Sequence, residues 1–153
     1  MIGLLQRVSE ASVQVGGEEI ARIDTGMLVL VGVQKHDTPA TAVRLLERLL
    51  AYRVFEDDAG RMNLSLRDAR FDGQPGGLLL VPQFTLPADT RKGTRASFTP
   101  AAAPGLADEL FASLCEQARA AWNPVACGQF GANMRVALVN EGPVTFWLEV
   151  NPD

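Results

Sequence analysis

One stretch near the end of the chain decides the fold: Asn140-Glu141-Gly142-Pro143-Val144-Thr145. Apolar residues occupy every second position before this stretch and after it, which is typical of strands with one buried face. Gly142 tolerates backbone angles that other residues avoid, and Pro143 fixes φ and removes an N–H donor. The pattern therefore predicts two strands joined by a hairpin turn, whose tip offers shape and bare carbonyl groups rather than side-chain chemistry. The alternating residues are Met134, Val136 and Leu138 before the stretch, and Val144, Phe146, Leu148 and Val150 after it.

The composition is that of an ordinary globular domain. The 153 residues, 47% of them hydrophobic, are enough to bury a core without a disulfide or a metal, and we expect one domain over residues 1–153. A net charge of −4 argues against a generally basic nucleic-acid coat but allows a local basic patch. Cys115 and Cys127 lack CxxC spacing, no signal peptide is evident, and the apolar run 27–33 is too short to span a bilayer. We therefore expect a reduced, cytoplasmic protein.

The order of the predicted elements favours an α+β domain. Thr38 and Pro39 begin an amphipathic helix over Pro39–Ala51, with Val43 among its buried residues, and a second helix follows over residues 106–122. Most connections are short, so we predict a mostly antiparallel, curved or partly closed sheet or barrel with two helices packed on it. The chain reads as seven or eight strands. The first covers residues 2–8, and residues 11–15 form either a second strand or the continuation of the first. The others are 20–23, 27–33, 52–55, 61–66, 78–81 and the two closing strands.

Several kinds of active site are excluded by the residue inventory. His36 is the only histidine, and the chain has too few cysteines and histidines for a structural zinc site. It has no phosphate-binding P-loop and no dinucleotide-binding glycine motif. The acidic cluster at residues 56–60 is predicted to be a solvated turn, and residues 68–77 a surface loop. What remains is chemistry without a metal or cofactor, or no chemistry.

The segment richest in groups that could bind or activate a substrate runs from Gln83 to Phe98. Polar residues such as Gln83 and Thr85 follow a buried strand. Pro82 indicates that this strand either ends there or lies at an edge of the sheet. Backbone N–H groups placed directly after a strand can stabilise an oxyanion without any side chain. Arg91, Lys92 and Arg95 suit a phosphate-bearing partner, although on charge alone a solvated loop is the more common reason for such a cluster. Phe98 is the one residue of the long polar segment 87–104 that we expect in the core.

The sequence resembles the D-aminoacyl-tRNA deacylases. The two signature motifs are matched by Gln83-Phe84-Thr85-Leu86, together with Ala88-Asp89-Thr90-Arg91-Lys92-Gly93, and by Asn140-x-Gly142-Pro143-Val144-Thr145. Further matches are Gln6-Arg7-Val8-x-x-Ala11-Ser12-Val13, Met62-Asn63-Leu64-Ser65 and Phe130-Gly131-Ala132-x-Met134. They span nearly the whole chain in order. Two residues depart from the family pattern: Pro82 stands where the family usually has Ser, and Ala96 where it usually has Pro.

The resemblance implies an activity and an assembly. Members hydrolyse the ester that joins a D-amino acid to the terminal adenosine of tRNA, and remove glycine mischarged on alanine tRNA, without a cofactor. They are homodimers in which the Gly-cisPro motif, here Gly142 and Pro143, enters the active site of the other subunit and excludes L side chains. The remaining roles implied are ester activation by Gln83, Phe84 and Thr85, support by Arg7, Asn140 and Met134, and tRNA binding by Arg91, Lys92 and Arg95.

Two other functions and one rival mechanism stay open. A non-catalytic, dimeric tRNA-binding module would use the basic residues 91–95 and explain Pro82 beside the site. A general small-ester hydrolase would act on esters without RNA and without preference for D over L. Within the deacylase reading, Thr85 is a rival nucleophile, but no base is evident near it, so we favour activation by backbone N–H groups.

Overall fold

The computed structural model describes every residue from Met1 to Asp153 and contains ten strands and two helices. The two helices are α1 (Pro39–Ala51) and α2 (Pro104–Ala121), and neither is long and apolar enough to cross a membrane. The first five strands are β1 (Ile2–Val15), β2 (Glu18–Ile23), β3 (Gly26–Gly32), β4 (Phe55–Glu56) and β5 (Met62–Leu64). The last five are β6 (Arg70–Phe71), β7 (Gln74–Pro75), β8 (Gly77–Pro82), β9 (Val125–Cys127) and β10 (Met134–Glu149).

The long strand β1 organises the main sheet. It pairs with β10 along one side over its whole length, and on the other side with β3 through its first half and with β2 through its second half. The main sheet follows the order β10-β1-β3-β8-β9, with β2 attached to β1. Residues 11–15 thus continue the first strand, which was one of the two alternatives that the sequence left open.

The predicted hairpin at residues 140–145 is wrong. Both halves of β10 pair antiparallel with the same strand β1: Asn140 lies opposite Val8, and Thr145 lies opposite Gln6. The chain therefore does not reverse; residues 141–144 bulge out opposite the single residue Arg7. The apolar alternation was real on both sides, but it marks two halves of one strand, and the Gly-Pro sequence shapes a bulge between them.

The α+β class is confirmed, as a nearly closed, barrel-like mixed sheet carrying two helices. The mostly antiparallel pairing is also confirmed, since five of the seven strand pairs are antiparallel; the exceptions are β3 with β8 and β8 with β9, which pair parallel. Parallel neighbours need long crossovers, and here these contain α1 and α2 respectively. The continuous apolar runs of β3 and β8 are typical of parallel strands covered on both faces.

Both helices pack on the sheet, and their predicted positions hold within two residues. The Thr38 side chain caps α1, as expected, and reciprocal bonds with Thr41 complete a capping box. Val43 was expected on the buried face but is 40% exposed; the helix buries a neighbouring stripe that includes Leu45 and Leu49. A cluster of 26 buried residues joins the helices to the sheet, and a second cluster of 8, centred on Val13 and Leu28, fills the barrel.

Three smaller features differ from the sequence prediction. The strand expected at residues 52–55 is limited to β4, and the extended segment 61–66 contains only the three-residue β5. The predicted surface loop 68–77 holds the short β6–β7 hairpin, and Ala69 within it is buried. These pieces are too short for a period-2 pattern to reveal them. The turn predicted at residues 56–60 is present, and Asp57 accepts hydrogen bonds from Ala59 and Arg61 across it.

Candidate active site

The parallel strands place three loops at one edge of the sheet. Because β3, β8 and β9 run in the same direction, their carboxyl ends meet at this edge, which we call the carboxyl edge. Gln34–Asp37 follows β3, the turn at residues 83–86 follows β8, and Gly128 follows β9. Ligands of sheets with parallel strands commonly bind outside such carboxyl ends. The polar residues that the sequence marked after the strand 78–81 therefore lie where a binding site is expected.

Pro82 ends β8 but does not lie on an edge strand, because β8 runs between β3 and β9. The next residue, Gln83, still donates its N–H to the Val31 carbonyl at 2.8 Å. The nitrogen of Pro82 faces the opposite side, beyond the last hydrogen bond towards β9, which runs from the Gly128 N–H to the Leu80 carbonyl at 2.8 Å. A Cβ on Gly128 would lie 3.1 Å from Pro82 and 3.0 Å from the sulfur of Met134, so these residues pack closely. Proline is thus compatible with this strand end.

The turn at residues 83–86, which we call the Gln83 turn, exposes two backbone donors. Its closing bond runs from the Leu86 N–H to the Gln83 carbonyl at 3.2 Å. The next two residues, Phe84 and Thr85, are exposed, and their N–H groups have no acceptor within the chain. Two adjacent free N–H groups can together bind an oxygen that carries negative charge. The N–H groups of Phe84 and Thr85 are therefore available in the turn, whereas the N–H group of Gln83 is already bonded to the Val31 carbonyl.

The hydroxyl of Thr85 has no general base beside it. It accepts a hydrogen bond from the side-chain amide of Gln83, and no carboxylate or imidazole contacts it. His36 is exposed, as expected for a surface histidine. A threonine nucleophile needs a base to take its proton, and the structure places none beside Thr85.

Phe98 does not lie in the core, contrary to the sequence prediction. It is 47% exposed, and its ring packs against the 63% exposed ring of Phe84 with centroids 5.5 Å apart. Asp89 and Ser97 exchange backbone hydrogen bonds of 2.8 and 2.9 Å, which close the intervening segment into a loop. That closure returns the chain to the Gln83 turn, so a residue 14 positions later in sequence contacts it.

Of the three predicted phosphate-binding cations, one already has a partner. Arg91 donates from its Nε and Nη2 atoms to the Asp89 carboxylate at 2.9 and 2.7 Å. These bonds hold the pKa of Asp89 well below its ordinary value. Lys92 and Arg95 are exposed and form no ion pair. All three cations line an open cleft of about 500 Å³.

The bulge in β10, residues 140–145, is exposed at its tip but held firmly at its base; we call it the Gly-Pro loop. Asn140 bridges it, donating to the Thr145 hydroxyl at 2.8 Å and accepting from the Val144 N–H at 3.0 Å. Arg7 donates to the Glu141 carbonyl at 3.0 Å and to the Val54 carbonyl at 2.8 Å. The tip has an exposed cis Gly142–Pro143 peptide, and the φ of Gly142 is +130°.

The two predicted halves of the site are far apart within one chain. The Gly-Pro loop lies opposite Arg7, which is level with Leu78 on β8, whereas the Gln83 turn begins five residues further along the chain. Three strand spacings also separate β10 from β8. At about 3.3 Å per residue and about 4.8 Å per strand, the two segments lie roughly 20 Å apart along the sheet. One chain alone therefore does not bring Gly142 to the Gln83 turn.

The supporting residues divide between the two halves. Arg7 and Asn140 belong to the base of the Gly-Pro loop, whereas Met134 packs at the carboxyl edge, where its sulfur accepts from the Gln129 N–H at 3.4 Å. Sequence reasoning missed Lys35, an exposed cation in the loop that follows β3 at the same edge. A similar signal was present, because Lys35 is a charged residue two positions after the buried apolar run 27–33.

Comparison with known proteins identifies the family. The model of the family described as D-Tyr-tRNA(Tyr) deacylase matches residues 4–149. A D-aminoacyl-tRNA deacylase of Thioalkalivibrio sulfidiphilus is 65% identical over 99% of both chains, and one of Nitrosococcus oceani is 57% identical over 99% of this chain and 95% of that one.

Two solved structures share the fold. One described as c-Myc DNA Unwinding Element Binding Protein has a TM-score of 0.90 and 37% identity, over 99% of this chain and 100% of that one. Another, of a probable eukaryotic D-amino acid tRNA deacylase, has a TM-score of 0.78 over 97% and 98% of the chains; at 18% identity it supports the fold alone. From the family match and the full-length relatives, the chain belongs to the D-Tyr-tRNA(Tyr) deacylase family.

Proposed function

We propose that this protein hydrolyses the ester bond of D-aminoacyl-tRNA and releases a D-amino acid and free tRNA. The observation that carries the proposal is the pair of unpartnered N–H groups of Phe84 and Thr85, in a chain 65% identical to a D-aminoacyl-tRNA deacylase. The ester carbonyl oxygen binds at these donors, which stabilise the negative charge that develops on it when water attacks the carbonyl carbon. Collapse of the intermediate breaks the bond to the ribose oxygen, which leaves as a hydroxyl after taking a proton.

The chain needs little side-chain chemistry for this reaction. The Gln83 amide holds the Thr85 hydroxyl, and no protein base is in contact with either. We assign the assisting hydroxyl to the substrate, as the 2′-hydroxyl of the terminal adenosine. Thr85 then contributes its N–H rather than its oxygen, and removal of its hydroxyl is tolerated.

We further propose that the active site is completed in a homodimer. Within one chain the Gly-Pro loop lies roughly 20 Å from the Gln83 turn by strand register, so contact between them requires a second copy. The loop is suited to entering another subunit, because Gly142 and Pro143 are exposed while Arg7 and Asn140 fix the base. In this arrangement the carbonyl groups of Gly142 and Pro143 of the partner subunit face the substrate's α-carbon.

Chiral selection then follows from steric exclusion. A side chain in the L configuration projects toward those carbonyl groups, whereas a D side chain projects away from them. Glycine projects no side chain, so glycine mischarged on alanine tRNA is also a substrate. The backbone carbonyl oxygens reject the wrong enantiomer by steric repulsion, so the site does not need a pocket fitted to any one side chain. The protein would thus proofread charged tRNA in the cytoplasm.

Cations beside the Gln83 turn supply the RNA contacts in this proposal. Lys92 and Arg95 have no internal partners and are free to bind phosphate, and Arg91, aligned by Asp89, presents the remaining face of its guanidinium group. Met134 and Pro82 both pack against Gly128, and through this contact Met134 supports the Gln83 turn.

A matched pair of variants tests the backbone mechanism. Phe84 occupies the second position of the Gln83 turn, where proline is readily accommodated and where its N–H makes no bond within the chain. Phe84→Pro removes both the ring and the donor, and Phe84→Ala removes the ring alone. We expect Phe84→Pro to lower kcat for D-Tyr-tRNA about 100- to 1,000-fold below Phe84→Ala, the loss typical of one oxyanion donor.

The outcomes separate the candidate functions. Equal kcat for two folded variants, confirmed by circular dichroism, would contradict the assignment of the Phe84 N–H. If the wild-type protein binds D-Tyr-tRNA and protects its ester, the protein is a tRNA-binding module and the hydrolase proposal fails. Turnover of esters without RNA, with no preference for D over L, would identify a general ester hydrolase instead.

A further inference from the structure

We propose that the cleft between the loop after β3 and residues 99–100 binds a backbone phosphate of the substrate's single-stranded 3′ end, with Lys35 as the cation. The inference rests on the proposed function and extends it to a second RNA contact, separate from residues 91–95. The cleft has a volume of about 610 Å³ and no hydrophobic residue in its lining. Its lining residues are Gln34, Lys35, His36, Asp37, Thr99, Pro100, Asn151 and Pro152.

Backbone hydrogen bonds and one aromatic contact link the cleft to the candidate active site. The Val33 carbonyl accepts from the Ala102 N–H at 3.0 Å, and the Lys35 N–H donates to the Pro100 carbonyl at 2.9 Å. These bonds fix the loop after β3 against the segment that carries Phe98, whose ring contacts Phe84 of the Gln83 turn. Because β3 and β8 are parallel neighbours, both loops leave the sheet at the carboxyl edge. RNA whose terminal ester lies at the Gln83 turn therefore has its preceding nucleotides within reach of this cleft.

Charge at this edge favours an anionic ligand, although the whole chain carries −4. Its two loops, residues 33–38 and 83–100, hold four cations, Lys35, Arg91, Lys92 and Arg95, and two carboxylates. Both carboxylates have cationic partners: Asp37 binds the buried N-terminal ammonium of Met1, and Asp89 binds Arg91.

Lys35 is exposed and forms no ion pair, so its ammonium group is free to bind phosphate. Of the other carboxylates beside the cleft, Glu149 accepts a hydrogen bond from the Gln34 amide at 2.8 Å, and Asp153, which follows the lining residue Pro152, pairs with Arg44 at 2.8 Å. An RNA strand that contacts both Lys35 and residues 91–95 is held at two points. We therefore infer that Lys35 positions the RNA and takes no part in the chemical step.

The test compares Lys35→Gln with Arg119→Gln, which removes an exposed cation in the last turn of α2. We measure kcat and KM for D-Tyr-tRNA across a range of KCl concentrations. Lys35→Gln should raise KM several-fold, leave kcat unchanged and reduce the slope of log(kcat/KM) against log[KCl] by about 0.7, as expected for one lost phosphate contact on a single strand. Lys35→Arg should restore the slope.

Two results would overturn the inference. One is an unchanged KM and salt slope in Lys35→Gln, and the other is a fall in kcat that Lys35→Arg does not restore, which would indicate a structural or chemical role. Both results are judged by comparison with hydrolysis by the wild-type protein. If the wild-type protein fails to hydrolyse D-Tyr-tRNA at all, the proposed function fails, and equilibrium binding of deacylated tRNA then tests the Lys35 contact alone through the same difference in salt slope.

Discussion

Replacing Gly142 by alanine should disrupt the Gly-Pro loop without unfolding the protein. The φ of Gly142 is +130°, a conformation that costs an L residue about 1–3 kcal/mol. An added Cβ would also lie 2.8 Å from the Val144 side chain and 3.0 Å from Nη2 of Arg7, and such overpacking typically costs about 1–3 kcal/mol more. The total is comparable to what holds the loop: the charged bond from Arg7 to the Glu141 carbonyl contributes about 1.5–3 kcal/mol. The loop therefore rearranges, while the strand pairing on both sides of it remains.

The assay is the ratio of kcat/KM for D-Tyr-tRNA to that for L-Tyr-tRNA. Every 1.4 kcal/mol of lost steric rejection raises the relative rate on the L substrate about tenfold, so we expect a rise of tenfold or more in Gly142→Ala. Gly16→Ala is the matched control, because Gly16 also has a positive φ, +59°, but no atom lies within 4 Å of the added Cβ. A folded Gly142→Ala protein that prefers D over L as strongly as Gly16→Ala does would refute the role assigned to the loop.

Two further predictions concern single side chains. Thr85→Ala should keep most of the kcat for D-Tyr-tRNA, because its hydroxyl contacts only the Gln83 amide, and a complete loss in a folded variant would restore Thr85 as nucleophile. Asp37→Asn leaves the buried Met1 ammonium without its carboxylate, so urea unfolding should show a loss of about 3 kcal/mol at neutral pH. Burial already holds the pKa of that ammonium below its ordinary 8.0, so the unfolded chain binds more protons and the free energy of unfolding rises as the pH approaches 8. The stability lost in Asp37→Asn should therefore shrink over the same pH range. A loss of stability that stays constant with pH would contradict this.

Local sequence signals were sufficient for much of the fold. Thr38 and Pro39 located the start of α1, because a capping side chain and a proline act within one turn of the helix. The apolar runs in β3 and β8 indicated buried strands, but burial does not specify the direction of the neighbouring strand, so the parallel pairs were missed. At residues 140–145 the sequence indicated an irregularity, but the predicted turn was wrong, because the chain bulges there and does not reverse. Both flanking segments pair with β1, more than a hundred residues earlier in the chain.

The site shows the same division between local and long-range information. The sequence motifs located the Gln83 turn and the Gly-Pro loop, but not the distance between them, which depends on strand register across β10, β1, β3 and β8. Phe98 was expected in the core because it is apolar; its exposure follows from the Asp89–Ser97 bridge, which no local pattern predicts. The pairing of Arg91 with Asp89 likewise depends on loop geometry, and it leaves Lys92 and Arg95 as the freer cations.

The composite site is tested most directly by mixing two variants. Phe84→Pro lacks the backbone donor but keeps a normal Gly-Pro loop. Gly142→Ala keeps the backbone donor but has a disrupted Gly-Pro loop. If the loop acts across the dimer, an excess of Phe84→Pro should suppress the L-Tyr-tRNA hydrolysis of Gly142→Ala, because each competent Gln83 turn then faces a normal loop. Hydrolysis of D-Tyr-tRNA should persist in the same mixture. L-Tyr-tRNA hydrolysis that stays constant per Gly142→Ala chain, after subunit exchange has been verified, would show that the loop does not serve the partner's site.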